Sequence, residues 1–480
     1  MSSKNTVLPV GFDASDAHLT LDGHDLVALG REHGTPLFVF SERQLRHNAS
    51  SFLAGARAGH DRARVFYASK ACSNRRVLEI FHEEGLDIEV NSGGELYKAQ
   101  RAGYAPRQIV FNGVAKSAVE IDLAIALDIQ AINVDAVYEL HRIGERARAA
   151  GGKARVSLRL VPGIAGGATP GIQTGSATSK FGMTQDEFAE ALAWLKTAGD
   201  AVDVVGIHLH IGSQVDDTEA YLRSVSFAAE QAERVQQELG AALSHVNLGG
   251  GYPIDYSHQP TGSNELGQYA AARKAEAMVR DVAGAARKLI GTGVELLFEP
   301  GRAMVGDTAV LLTTIESCRQ RGGHPWIYLD AGYNLMIDAA AVRWYYHMVN
   351  ASRADASYTD MGKMADFRVV GPLCDSADCF FDVEGEYLFK KIMSRLPDLT
   401  PAQQEELRGD IIRLPATRRL PAATIPGDIV ALLDVGAYTL EEMFQYCGRQ
   451  RAAAVLLTAE GEVAPMLARD ENADLVSQER

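Results

Sequence analysis

Arg64-Val65-Phe66-Tyr67-Ala68-Ser69-Lys70-Ala71 reads as a short strand of β-branched and aromatic residues that stops abruptly in small residues and one lysine. A run of that length closed by a break fits a strand buried on both faces. The lysine at its lip has two readings. It is a strand-end lysine whose ammonium reaches back to solvent, or an amine in a partly apolar pocket where desolvation disfavours its charge. The second leaves a neutral amine able to form a Schiff base. What stands at the ends of the later strands decides between them.

Working outward, strand patterns recur at 64–67, 87–91, 108–111, 131–134, 155–160, 204–210, 245–248 and 294–298. Helical patterns fall between most of them, at 73–84, 94–102, 117–127, 136–150, 184–198, 218–239 and 268–291, and one more runs from Ser41, its N-cap, to Gly59. A doubly wound open sheet shows the same alternation, but eight strands favour a parallel (β/α)₈ barrel. Before it, residues 17–40 hold short alternating segments, the last of which, Pro36-Leu37-Phe38-Val39-Phe40, looks like a strand entering the main domain. Beyond residue 305 the segments 308–317, 325–330, 366–370, 379–384 and 428–433 look like strands without regular helices between them, which predicts a mainly β domain. A charged, helix-prone insertion at 386–419 interrupts it, with Thr400 as N-cap and Pro401 in the first turn. The tail, 469–480, is acidic and polar and is expected to fray.

The 480 residues are enough for two domains, and 46% hydrophobic with 23% charged residues is ordinary for a globular enzyme. A net charge of −15 disfavours nucleic acid or an anionic membrane surface as partner. Met1-Ser2-Ser3-Lys4-Asn5 opens no apolar run of signal-peptide length, and no later run has the length of a membrane span. Cys72, Cys318, Cys374, Cys379 and Cys447 are scattered and lack zinc-site spacing, so a reducing, cytoplasmic setting is expected.

In a (β/α)₈ barrel the chemistry sits at the C-terminal ends of the strands. Lys70 follows the first. The sixth runs into His208-Leu209-His210-Ile211-Gly212-Ser213-Gln214, where strand alternation puts both histidines on one face, as barrel-lining residues or as two ligands of a metal that lacks an evident third. The seventh ends in Asn247-Leu248-Gly249-Gly250-Gly251, where missing Cβ atoms let backbone amides approach an anion. The eighth ends in Phe298-Glu299-Pro300-Gly301-Arg302, and loops seven and eight are the usual phosphate site of such barrels. Arg302 supplies a bidentate cation. Glu299 beside a phosphate is repulsive unless the ligand also carries a cationic ring nitrogen. A phosphate, a protonated ring nitrogen and an aldehyde for Lys70 together describe pyridoxal 5′-phosphate.

With these segments in this order, residues 25–460 resemble the fold-type III pyridoxal-phosphate decarboxylases, the group of diaminopimelate and eukaryotic-type ornithine decarboxylases. The resemblance extends through Asn91-Ser92-Gly93-Gly94-Glu95-Leu96, Phe111-Asn112-Gly113, Ile132-Asn133-Val134-Asp135, Ser179-Lys180-Phe181-Gly182, Gly371-Pro372-Leu373-Cys374-Asp375 and Gly436-Ala437-Tyr438. It implies that Lys70 forms the Schiff base, His210 stacks on the cofactor ring, Ser213 lies near the cofactor and Glu299 meets the pyridine nitrogen. Gly250, Gly251, Gly301, Arg302 and Tyr438 are implied to hold the phosphate. It further implies a homodimer in which Cys374 and Asp375 reach into the partner's site, Cys374 returning a proton to the substrate carbon or steering the carboxylate's departure. The β domain of such proteins takes in the N-terminal strands. The expected division is therefore 1–40 joining the β domain, 41–305 as barrel, 306–468 as β domain and 469–480 as tail.

The departures bear on the substrate. After Asp330-Ala331-Gly332-Tyr333-Asn334, diaminopimelate decarboxylases usually carry an arginine and a tyrosine that grip the distal carboxylate. Asp338 and Val342 occupy those positions here, and the usual glutamate after the cysteine is Asp375. The stretch Asp330 to Arg353 looks more like bacterial D-ornithine/D-lysine decarboxylases. The resemblance thus implies a diamino acid whose distal ammonium meets Asp338 and Asp375. The alternatives are meso-diaminopimelate, a siderophore or polyamine precursor, and a non-catalytic dimerising protein, the last disfavoured by intact Lys70, Glu299, Arg302 and Cys374.

Overall fold

A computed structural model describes residues 8–14, 17–164, 179–258, 266, 269–355 and 363–480. Met1–Asn5 and residue 268, where the last barrel-helix pattern starts, lie outside them. The chain divides into two compact units, one of residues 1–44, 256–270 and 307–480, the other of 45–255 and 271–306.

The second unit is a closed barrel of eight parallel strands: Ala63–Ala68, Asp87–Val90, Ile109–Phe111, Ala131–Val134, Ala154–Arg159, Val202–His208, His245–Asn247 and Glu295–Phe298. Val65, Phe66 and Tyr67 are all buried. Burial on both faces is why the opening stretch is continuously apolar rather than alternating. Phe66, Val110, Ala131, Val205 and Leu297 form one buried cluster. They come from strands one, three, four, six and eight, so side chains from non-adjacent strands meet inside the barrel. Caps mark the start of two of the helices, whereas the pattern expected from 268 becomes a helix at Ala275, without a side-chain cap. Gln44 donates its N–H to Ser41 Oγ at 3.1 Å. Ser117 and Glu120 close a capping box on Ala118–Leu127.

The first unit is built on a nine-stranded sheet whose path runs through Arg418–Pro421, Met364–Val370, His324–Leu329, Ala309–Arg321, Leu37–Ser41, Ala453–Leu457 and Val463–Leu467. Ile429–Leu432 and Met348–Asn350 branch from it. Its core gathers Leu37, Val39, Val310, Leu312, Ile429, Ala431 and Val455.

The run ending at Phe40 joins the β domain, as the resemblance implies: Leu37–Ser41 lies between Ala309–Arg321 and Ala453–Leu457 in this sheet. Three expectations need correction. Within 17–40, Leu26–His33 is a helix capped by Asp25. Segment 379–384 makes one bridge, Val370 to Cys379, and then turns into the helix Val383–Met393, because the Asp382 carboxylate caps that helix at Gly385 N–H. The tail is tied down, with Arg469 Nη2 donating to Gly34 O and Pro36 O and Asp470 paired with Arg451, before a short helix Asn472–Val476.

Candidate active site

The barrel's apolar layer predicts the next one. Advancing two residues along a strand keeps the side chain on the same face, so Val110, Ala131 and Leu297 lead to Asn112, Asn133 and Glu299. All three are buried, and the polar layer they form is joined by Glu89, His208 and Asn247. Glu299 is its centre. It accepts from Asn247 Nδ2 at 2.7 Å, Asn112 Nδ2 at 3.0 Å, Asn133 Nδ2 at 3.3 Å and His208 Nε2 at 3.0 Å. Burial alone would raise its pKa, but His208, the Asn247 amide and Lys70 outweigh burial and hold it well below the usual carboxylate range. Burial pushes the His208 pKa down. A neutral ring donating from Nε2 agrees with a Nδ1 that has no hydrogen-bond partner. The expected pair of histidines therefore divides. His208 serves Glu299, whereas His210, two residues on, accepts from Gly250 N–H through Nδ1 at 3.2 Å and is also kept neutral by burial. Among the described residues, no three His, Cys, Asp or Glu side chains are grouped to hold a metal ion.

Lys70 sits in a 3₁₀ turn, Ser69–Ala71, directly after the first strand. Glu95 organises this lip, accepting from Ser69 Oγ at 2.8 Å and Asn91 N–H at 2.7 Å. The lysine side chain is 43% exposed, and its Nζ lies 3.9 Å from the wholly buried Glu89 Oε1. The amine thus stands half-exposed with a buried carboxylate within reach, a neighbour neither reading of the strand-end lysine included. Glu89 is itself pushed up to about 7, chiefly by burial, with Glu299 and Glu95 adding to the rise and Lys70 opposing it.

The glycine triplet has a packing reason beside the one expected. A Cβ on Gly249 would lie 2.3 Å from Leu209 O, on Gly250 2.0 Å from Glu299 O, and on Gly251 2.3 Å from Gly212 O. Loops six, seven and eight pack so closely that these positions exclude side chains whether or not an anion binds. Beyond them Arg302, buried, directs Nε to Ser213 Oγ at 3.3 Å.

Gly301 stands at the start of the short helix Arg302–Val305 in the same unit, and the other sequence-predicted residues belong to the other unit. Cys374 is exposed. Beside it Asp375 accepts from Tyr333 OH at 2.6 Å. The loop is pinned by buried Asp378, which takes Leu373 N–H at 2.7 Å and Tyr333 N–H at 2.9 Å. Asp338 is half-buried and begins the short helix Asp338–Ala341. Tyr438 holds a left-handed φ of 57°.

Sequence reasoning missed Glu89 as a site residue. Its signal was a carboxylate between Ile88 and Val90 in the fully buried strand Asp87–Val90, where an unpaired charge is costly. Asn112 and Asn133 stood in quoted motifs without a role. Their signal was an amide within one residue of the end of each of two successive strands, Ile109–Phe111 and Ala131–Val134.

The residues present fit pyridoxal phosphate. An ionised carboxylate fixed by three amides offers charge to a ring N–H, an amine stands at the strand lip, and a buried arginine beside a hydroxyl suits a phosphate. Comparison with known proteins agrees. Residues 44–306 match the family described as pyridoxal-dependent decarboxylase, pyridoxal binding domain. The chain is similar to the diaminopimelate decarboxylase of Archaeoglobus fulgidus, 30% identical over 94% of each chain. It is also similar to that of Methanothermobacter thermautotrophicus, 31% identical over 96% of this chain and 95% of that one. The crystal structure of the diaminopimelate decarboxylase from M. jannaschii in co-complex with L-lysine superposes with a TM-score of 0.78 at 27% identity, covering 98% of both chains.

Proposed function

The chain belongs to the pyridoxal-dependent decarboxylases, an amino-acid decarboxylase that uses pyridoxal phosphate, and from that premise we propose its substrate to be a diamino acid with a distal ammonium. D-Ornithine and D-lysine, converted to a diamine and carbon dioxide, meet that description. The observation that carries this reading is the charge after Asp330. Asp338 heads its short helix. The single arginine between residues 331 and 352, Arg343, is engaged by Asp382 at 2.7 Å and Glu384 at 3.1 Å. A distal carboxylate facing Asp338 would meet like charge, which costs several kcal/mol.

When bound, the cofactor supplies the electron sink for the charge left as the carboxylate departs. Lys70 anchors it, Glu299 keeps negative charge toward the ring nitrogen, and neutral His210 offers its flat face. Gly250, Gly251, Gly301, Arg302 and Tyr438 receive the phosphate, and Ser213 lies near the cofactor. Asp338 and Asp375 bind the distal ammonium, and Cys374 moves a proton at the reacting carbon. The exposure of Cys374 supports a homodimer in which it and Asp375 serve the partner subunit's site. The five free cysteines support a reducing, cytoplasmic setting, and among the described residues no helix is long and apolar enough to cross a membrane.

The second reading, meso-diaminopimelate, is the one the comparisons back better than D-ornithine or D-lysine, because the relatives at 30 and 31% identity carry that name. A carbon-dioxide-release screen over both enantiomers of ornithine and lysine, the diaminopimelate isomers and carboxynorspermidine separates the two. If each charge-assisted bond contributes about 1.5–3 kcal/mol, Asp338→Asn lowers kcat/KM for a distal-ammonium substrate roughly 10- to 150-fold. Asp338→Arg shifts preference toward diaminopimelate. Wild-type preference for diaminopimelate over all four ornithine and lysine enantiomers overturns the charge argument and leaves the second reading.

A further inference from the structure

We infer that Arg343 and Asp382 are positioning residues: they lock the helical hairpin Val383–Met393 and Pro401–Ile411 to the segment carrying Asp338, so that the hairpin sets selectivity at the substrate's far end. The inference rests on the reading of Asp338 given above.

The lock is built from one buried carboxylate. Asp382, with a side chain 1% exposed, receives Arg343 Nε at 2.7 Å. The same carboxylate caps the first helix, taking Gly385 N–H at 2.8 Å, and holds the chain leaving the second, taking Arg413 N–H at 3.1 Å. Gly385 makes this compact arrangement possible, since a Cβ there would lie 2.4 Å from Asp382 Oδ2 and 2.9 Å from Ile411 O. Asp382 thus joins both ends of the hairpin to one guanidinium. Glu384, on the first turn of the helix, adds a second bond to Arg343 Nη2 at 3.1 Å. Tyr269 OH repeats the link through backbone, lying 2.7 Å from Arg343 O and 3.3 Å from Arg413 O.

Arg343 is the residue at which the Asp338 segment turns. Its φ is 55°, a left-handed conformation that a side chain adopts at a cost and that persists when neighbours over-determine it. The turn returns Trp344 N–H to Asp338 O at 2.9 Å, and Val342 N–H reaches the same carbonyl at 3.3 Å. Trp344 is buried, edge-on to Tyr256 and Tyr269. The backbone of Asp338 is therefore held by a turn whose conformation Arg343 maintains through the hairpin. Removing the guanidinium leaves Tyr269 as the remaining link between hairpin and turn, while Glu299 keeps its bonds to Asn112, Asn133, His208 and Asn247.

Hydrogen exchange and kinetics on the holoenzyme test this. In Arg343→Gln and in Asp382→Asn, which keeps a capping side chain, exchange of the Val342 and Trp344 amides rises about 10-fold. kcat/KM for the preferred diamino acid falls about 2- to 30-fold, through KM with kcat held, and Arg343→Lys recovers part of it. Unchanged exchange at 342 and 344 in both variants overturns the lock. So does a loss confined to kcat with KM unmoved. Should Asp338→Asn itself leave selectivity unchanged, the reading of Asp338 fails, and the exchange of these two amides still decides whether the lock exists.

Discussion

Asn112 Nδ2 donates to Glu89 Oε1 at 2.7 Å and to Glu299 Oε2 at 3.0 Å, so one amide bridges two buried carboxylates. Their surroundings push them apart. Glu299, supported by Asn247, Asn133 and His208, stays ionised, while Glu89 is pushed up to about 7. One site thus holds a permanent anion next to a carboxyl that titrates near neutrality.

Glu89 should be visible in the pH dependence of stability of the cofactor-free protein. Its folded pKa is raised above the unfolded value of 4.5. The stability it contributes is therefore full below pH 4.5 and is lost as pH rises through about 7. Glu89→Gln removes that slope. Thermal melts across pH 4.5 to 8 should show a smaller loss of Tm with rising pH in the variant than in wild type, and parallel curves would remove Glu89 from the account.

Glu299→Gln keeps the size and the acceptor oxygen but not the charge. It should bind pyridoxal phosphate, seen as retained yellow colour, with turnover lowered about 100-fold or more. Near-normal turnover would mean that the ionised carboxylate is not what the ring nitrogen requires.

Lys70→Ala should abolish borohydride-trapped incorporation of the cofactor. Peptide mapping of wild type should place the trapped adduct at Lys70. An adduct on Lys116, whose Nζ is buried against Gly113 O, Asn133 O and Glu139, would reassign the anchor.

Mixing inactive Lys70→Ala with inactive Cys374→Ala should regenerate activity if the sites are shared. One site of the mixed dimer then combines intact Lys70 with intact Cys374, for a ceiling of about one quarter of wild-type sites under equal random exchange of symmetric dimers. Exchange without recovery would put Cys374 in its own subunit's site or outside catalysis.

The barrel was legible because its strands are largely buried and carry short apolar runs, such as Val65-Phe66-Tyr67 and Ile109-Val110-Phe111, at regular intervals between helical patterns. The Lys70, Glu299 and Arg302 strand ends were legible because a cation, an anion and a second cation in that order match one ligand. The polar layer was not, because Asn112, Asn133 and Asn247 are neutral residues whose role exists only when barrel closure brings strands three, four and seven around Glu299. Segment 379–384 misled for a local reason. Phe380 and Phe381 are buried as a strand's would be, yet Asp382 begins a helix one residue later. The carboxylate near Lys70 was not legible because Glu89 lies on a neighbouring strand, beyond the reach of local pattern.

Asp378 fills the space beside two glycines: a Cβ on Gly332 would lie 2.5 Å from its Oδ1, and one on Gly371 2.3 Å from its Oδ2. The turn at Gly332-Tyr333 and the loop bearing Cys374 are thus moulded around the same carboxylate, although some forty residues separate them in the chain. They behave as a single transplantable part. A chimera that imports the cysteine loop from a relative without its matching Gly332 turn, or the reverse, strands the carboxylate without half its donors, so the two segments are expected to be exchangeable together and not one at a time.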